Sequence, residues 1–288
     1  MEDNLLPLYK ERENHPHTLG IILVEKNPHA ISFTENFDVI LLIIVKEQKR
    51  SHYIEHYVYH HKKVALHIIK ESQLHKWMLL GSNRKVIEWI DDGKILFEQN
   101  QYMNKLKKEM RNFSFYGRKL KMGIEFAKLI KRYLDGKAFF TNGQYLDAYN
   151  HVVHSLHHLA RLAIIKNGHF PEITVWNQVK KIEPEIHKLY EELVNSEEGL
   201  EKRLELLFLA SDFLIHSYIE YGTSHLIDII VEKEKWSMND LLTHPELQYY
   251  GIDLPMLLAY LKEKKMLEVI KSTETKNGFY QYYYKVTK

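Results

Sequence analysis

The chain has 288 residues and a mass of 34.5 kDa, with 40 Lys plus Arg against 38 Asp plus Glu, a formal charge of +2. An apolar share of 45% and a charged share of 27% exclude a disordered chain and fit a globular one of two or three domains. The absence of cysteine excludes a disulfide scaffold, a zinc ribbon, an iron–sulfur centre and a thiol nucleophile.

Met1 to Asn14 is charged and has no long apolar core, so it does not read as a signal peptide. A short helix is expected over Leu5 to Glu13. Leu19 to Glu25 is an apolar run of strand length, followed by a polar, turn-rich stretch containing Asn27-Pro28. Val39 to Val45 is the longest unbroken apolar run. It is too short to span a bilayer, and its β-branched residues predict a strand covered on both faces. No membrane association is expected, and the cytoplasm is the expected location. Tyr53 to His60 and Lys63 to Lys70 predict a hairpin turning at His61-Lys62. Ser72 to Leu80 reads as helix. Asp92-Gly93 reads as a turn before a further short strand.

The middle of the chain is helical. Arg118 to Leu134 has apolar residues at helical spacing. Gln144 to Lys166 is the clearest amphipathic helix, with Ala148, Val152, Leu156, Leu159, Ala160 and Ala163 on its apolar face. Asp147, His151, His154, His158 and Arg161 form the opposite, polar one. Asn167-Gly168 ends it. Trp176 to Leu193 and Leu200 to Tyr221 predict two more helices. From Ser237, an N-cap, the order is helix, then a second helix near Pro255, then strands over Leu267 to Lys271 and Tyr280 to Val286. That order is the pattern of a winged helix-turn-helix.

The stretch Thr34-Glu35-Asn36-Phe37-Asp38-Val39-Ile40-Leu41-Leu42, the preceding Val24-Glu25-Lys26, and Trp89 with Asp92-Gly93-Lys94-Ile95-Leu96 resemble the nucleotidyltransferase superfamily. With Asp147 to His151 and Leu156 to Arg161, the chain more closely resembles the YgxA-type nucleotidyltransferase-like proteins of Gram-positive bacteria. The resemblance implies an α+β fold in three parts: a nucleotidyltransferase-like mixed-sheet domain over 1–114, a helical substrate-binding-like bundle over 115–232, and a C-terminal winged helix-turn-helix over 233–288. It also implies a site with three carboxylates, two from an Asp-x-Asp pair and one from a neighbouring strand, holding two divalent cations. Asp38 matches the first position, but Ile40 stands at the second. The strand Lys63 to Lys70 offers Val64, Ala65, Leu66 and His67, and no acid. The Gly-Ser turn that seats phosphates in the superfamily corresponds to about Val24 to Lys26, which has neither residue.

Asp38 therefore has two readings, a turn-capping residue or a residual metal and catalytic ligand. Glu25 and Glu35 either approach Asp38 and rebuild a weaker cation site or are solvated. His67 is either a replacement ligand or an ordinary strand histidine. Mg2+ is the cation expected to serve any transfer activity that remains. His52, His56 and His60 have the even spacing of one strand face, with Glu55 pointing the other way. On the predicted polar stripe, neutral imidazoles plus an Arg suit a phosphate or polar ligand lying between the first two domains; the plainer reading is a solvated face.

Charge is unevenly distributed. Lys105 to Arg132 carries a net +8 and Glu183 to Glu205 a net −5. The basic segment suits nucleic acid or nucleotide phosphates, or is a solvated helix face. The last 54 residues, from Lys235, carry only +2. The recognition helix begins with Ile252 to Leu258 and has its cations at the far end, Lys262, Lys264 and Lys265, with Lys271 and Lys276 on the wing. The leading expectation is a nucleotidyltransferase-like protein with an eroded metal site, binding a nucleotide or polar ligand. The alternatives are a nucleic-acid-binding or regulatory adaptor acting through the winged helix, and an active nucleotidyltransferase with a rebuilt metal site.

Overall fold

The computed structural model describes residues 2–26, 34, 36–80, 82–111, 115–271 and 279–287. They form two compact units, Met1–Asn112 and Phe113–Lys288. Among them no helix is long and apolar enough to cross a membrane.

The first unit is built on a five-stranded mixed sheet. Its elements are helix α1 (Glu2–Glu13), β1 (Thr18–Glu25), β2 (Val39–Val45), β3 (His52–Tyr59), β4 (Lys62–Lys70), α2 (Glu71–Leu80), α3 (Arg84–Asp92), β5 (Lys94–Glu98) and α4 (Tyr102–Arg111). The strand order is β3-β4-β2-β1-β5, with β2 and β4 parallel and the other pairs antiparallel. All seven residues of β2 are buried, as expected of a strand covered on both faces. One face packs Ile21, Leu23, Val39, Leu41, Ile43, Leu66 and Ile68 with Tyr9 of α1. The other carries Trp77 of α2 and Trp89 of α3 against His52 and His67.

The hairpin turn lies one residue earlier than expected. His60 and His61 take φ of 45° and 64°, the left-handed pair that a tight hairpin requires, and β4 starts at Lys62. His60 therefore leaves the strand face that His52 and His56 share. Asp92-Gly93 makes the expected turn before β5. It closes α3, which buries Val86, Ile87, Trp89 and Ile90. The Gly93 N–H donates to Trp89 O at 2.9 Å, and a Cβ there would lie 2.2 Å from Ile22 Cγ2, so only glycine fits. Helix α4 was not expected. Its start is capped by Glu98 of β5, whose Oε2 accepts from the N–H groups of Met103 (3.1 Å) and Asn104 (3.3 Å).

The second unit begins with the helices α5 (Phe115–Thr141), α6 (Tyr145–Lys166), α7 (Val175–Ile182), α8 (Pro184–Asn195) and α9 (Leu200–Ile230). The single helix expected over Trp176 to Leu193 is two. Pro184 supplies no N–H and disfavours helical backbone before it, and Glu183 is extended at φ −137°. Helix α9 continues past Tyr221 because Leu226, Ile229 and Ile230 extend its buried period. β6 (Trp236–Ser237), α10 (Met238–Thr243), a 3-10 helix (Leu247–Asp253), α11 (Leu254–Glu263), β7 (Leu267–Lys271) and β8 (Tyr282–Val286) follow, with the sheet order β6-β8-β7. The Ser237 hydroxyl accepts from Asp240 N–H, and the Asp240 carboxylate accepts from Ser237 N–H, a reciprocal cap at the start of α10.

This C-terminal region packs on the bundle. A Cβ on Gly123 of α5 would lie 2.0 Å from the Tyr250 hydroxyl, so a missing side chain lets the 3-10 helix approach the α5 backbone. Buried His225 of α9 meets the same Tyr250 hydroxyl, Nδ1 to Oη at 3.0 Å, and its Nε2 lies 2.9 Å from Oε2 of Glu246, the residue before the 3-10 helix. Burial lowers the His225 pKa against the pull of Glu246.

Candidate functional site

Two places in the fold hold the residues singled out in the sequence. The first is the start of the central strand β2, at Asp38. The Asp38 N–H donates to Lys63 O at 2.9 Å, and its Oδ2 accepts from Lys63 N–H at 2.8 Å, so the carboxylate caps the entry to β4. The β2–β4 register puts Ile40 opposite Ala65 and Leu42 opposite His67. Asp38, Ile40 and Leu42 share one face, so His67 lies four residues further along, about 13 Å at 3.3 Å per residue. That separation is far beyond the span of two oxygen- or nitrogen-bound ligands on one cation. His67 instead bonds His52, Nδ1 to Nε2 at 3.0 Å, with the Trp89 ring 4.8 Å away. Glu25 stands opposite Val39 and is exposed, so it emerges on the face away from Asp38. Glu35 lies outside the described residues. Among the described residues, the β2–β4 face that begins at Asp38 does not fit a two-cation site: it offers one carboxylate, already bonded to a backbone N–H, and continues in apolar Ile40 and Ala65.

The second place is a polar seam between α5 and α6. The helices run antiparallel, and their facing positions descend together: Asp135 with His151, Arg132 with His154, and Glu125 with His158 and Arg161. His151 Nδ1 lies 4.0 Å from Asp135 Oδ2. Glu125, whose side chain is fully buried, has His158 Nδ1 at 2.8 Å from Oε2 and Arg161 Nη2 at 2.8 Å from Oε1. The Arg161 contact is an ion pair without hydrogen-bond alignment, and Arg161 Nε and Nη2 are buried with no hydrogen-bond partner among the described residues. Burial pushes the Glu125 carboxyl upward, but Arg161, His158 and Lys128 outweigh it and hold the group well below the usual carboxylate range. Burial, reinforced by Arg132, lowers His154. His151 is lowered first by burial, against the pull of Asp135.

The predicted stripe is therefore not a solvated face throughout. Asp147 and His154 are exposed, His151 and His158 are half-buried, and Arg161 is 6% exposed and turned into the helix pair. Asp147 sits in the first turn of α6, where a carboxylate suits the helix dipole. Lys121 of the basic segment is likewise buried, with Nζ 3.6 Å from the Phe170 ring centre.

A model described as Nucleotidyltransferase-like matches residues 1–118, one described as YgxA-like substrate binding domain matches 119–218, and a helix-turn-helix domain matches 224–286. The Bacillus subtilis (strain 168) protein named Uncharacterized protein YgxA is 49% identical over 269 residues, 93% of this chain and 92% of its own length. This chain belongs to the YgxA-like family. The crystal structure of a nucleotidyltransferase-like protein from Exiguobacterium sibiricum 255-15 is also similar, with a TM-score of 0.85, 36% identity and 99% of each chain covered. In this YgxA-like chain the seam lies wholly within the stretch matched as substrate binding. The winged-helix lysines Lys262, Lys264, Lys265 and Lys271 are exposed, with Lys264 Nζ 5.3 Å from the Tyr260 ring centre and Lys271 Nζ 5.6 Å from that of Tyr280. Lys276 lies outside the described residues.

Sequence reading missed the α5 half of the seam. Glu125, Lys128 and Arg132 read only as charges in a basic run. The signal was there in their helical spacing, which matches that of the α6 stripe.

Proposed function

We propose that this YgxA-like protein binds a nucleotide or another small polar ligand through the α5–α6 seam, with little or no nucleotidyl transfer. The observation that carries the reading is buried Arg161, in the stretch matched as substrate binding, whose Nε has no hydrogen-bond partner among the described residues while its Nη2 is ion-paired to Glu125. Buried donors of a guanidinium are costly to leave unmade and suit an oxyanion. His154 and His158 add donors and acceptors beside it. Asp38 acts structurally, by capping β4.

The test is a thermal-shift panel of nucleotides with and without Mg2+ or Mn2+, because a ligand bound only by the native state raises its Tm. The expected result is a rise that needs no metal and is lost in His154→Ala and Arg161→Lys. No rise with any nucleotide, or metal-dependent transfer of a nucleotidyl group, would overturn the reading.

A second reading rests on the helix-turn-helix match: nucleic-acid binding through Lys262, Lys264, Lys265 and Lys271, beside exposed Phe279 and Tyr280. Binding that weakens steeply with salt and is lost when those lysines become Ala would establish it.

A further inference from the structure

Helix α9 buries one side and leaves the opposite one open. Leu204, Leu207, Ser211, Ile215 and Tyr218 are buried. On the other side, among the described residues, Leu206, Leu209 and Phe213 are 48%, 64% and 75% exposed. Large apolar side chains scattered singly on a surface are ordinary, but these three follow one another a turn apart along a single stripe. Exposed residues continue the stripe at both ends, Lys202 on the N-terminal side and His216 and Glu220 on the C-terminal side. From Lys202 to Glu220 the stripe runs about 27 Å along the helix, at 1.5 Å per residue.

The spacing along this stripe alternates between four residues and three, the period with which two helices pair side by side in a coiled coil. The stripe is also symmetric. Counting outward from position 211, Leu209 and Phe213 stand two residues away on either side, Leu206 and His216 five, and Lys202 and Glu220 nine. Two copies laid antiparallel about a twofold axis therefore meet in matched layers. Leu209 meets the partner subunit's Phe213, Leu206 meets the partner subunit's His216, and Lys202 meets the partner subunit's Glu220, each layer occurring twice. A parallel pair would set lysine on lysine and glutamate on glutamate, so the end charges select the antiparallel arrangement. Lys202 is bonded to Glu205 of its own helix at 2.7 Å, but both side chains are exposed, and such a pair holds its members weakly.

We propose that two copies of this chain form a twofold dimer, paired antiparallel through the α9 stripe, with Leu206, Leu209 and Phe213 as its apolar centre and a Lys202–Glu220 ion pair at each end. The occupant of the stripe is a second copy rather than another protein, because the stripe complements itself in both its apolar and its charged positions. One pair of helices buries less than the usual dimer interface, so the dimer is expected to dissociate at micromolar chain concentrations. None of these residues belongs to the α5–α6 seam, so the dimer and the ligand site stand or fall separately.

The test is sedimentation equilibrium of the full chain, over a concentration series reaching hundreds of micromolar and at low ionic strength, where exposed charges are least screened. The wild type is compared with Phe213→Ser, Leu209→Gln, Lys202→Glu and Glu220→Lys, and with the last two mixed in equal amounts. Every altered side chain is exposed, so each melting curve at low concentration is expected to match that of the wild type. Phe213→Ser and Leu209→Gln, which face one another across the axis, are each expected to abolish dimerisation. Lys202→Glu and Glu220→Lys each set like charges together at both ends and are expected to weaken the dimer about tenfold. Mixed, the two variants are expected to form a heterodimer of near wild-type affinity, because each end again joins a lysine to a glutamate. That recovery depends on contact between copies and on the antiparallel order, and a change within one chain would not produce it. A wild type that stays monomeric throughout the series, or a dimer indifferent to Phe213→Ser and Leu209→Gln, would overturn the proposal. Charge variants without effect, or weakened ones that do not recover on mixing, would overturn the antiparallel pairing and the proposal with it.

Discussion

Replacing Arg161 by Met leaves the Glu125 carboxylate fully buried with its closest cation gone. Breaking a buried pair by removing one partner costs about 3–5 kcal/mol, because the stranded charge stays desolvated. Arg161 is itself 6% exposed, so water cannot readily replace the guanidinium. At about 2–4 °C per kcal/mol for a unit of this size, the melting temperature at pH 7 falls by roughly 6–20 °C. The pH dependence also changes sign. In the wild type the folded Glu125 pKa lies below its unfolded value near 4.3, so its contribution is complete at neutral pH and lost only as pH falls through the folded value. In the variant, burial dominates and the folded pKa rises above the unfolded one, so the variant loses stability as pH climbs from about 4.3. The gap between wild type and variant, measured by urea unfolding, is therefore widest near pH 7 and narrows toward pH 5. A gap under about 1 kcal/mol at pH 7, or one constant between pH 5 and 7.5, would refute the reasoning. Should Arg161→Met fail to fold, Arg161→Met with Glu125→Gln removes the stranded charge and is expected to recover most of the loss.

Other substitutions test how the elements are held. Gly123→Ala puts a Cβ 2.0 Å from the Tyr250 hydroxyl and should cost about 1–3 kcal/mol, with faster hydrogen exchange over Leu247–Asp253; Tyr250→Phe in the same chain relieves part of it. Gly222→Ala meets the Phe126 ring at 2.3 Å and should lower stability by a similar amount, read by thermal melting, without changing exchange in the first unit. Ser237→Ala removes the reciprocal cap of α10 and should cost about 1 kcal/mol by urea unfolding. Asp38→Ala breaks the bond to Lys63 N–H and should cost about 1–2 kcal/mol, with no change in any Mn2+-dependent thermal shift.

Much of the architecture is carried by local patterns. The seven apolar residues of β2 can only be a central strand, and the period of α6 with Asn167-Gly168 at its end can only be a long helix. The errors have equally local causes. Asp92-Gly93 marks the turn before β5 but not helix α3, which that turn closes. Pro184 breaks the α7–α8 pair by removing a hydrogen bond, which apolar periodicity does not report. The seam was half legible. An isolated stripe of His and Arg looks the same whether it meets water or a second polar stripe, and the facing stripe on α5 was hidden within a basic run.

The α5–α6 seam also works as a key. Two apolar helix faces can slide past one another by a turn and still bury similar area, but charged positions cannot. Moving α6 by one turn in one direction brings Ile165 opposite Glu125 and strands the carboxylate in an apolar setting, at a cost of several kcal/mol. The seam thus admits one alignment of the two helices, and Glu125 and Arg161 are expected to change together or not at all.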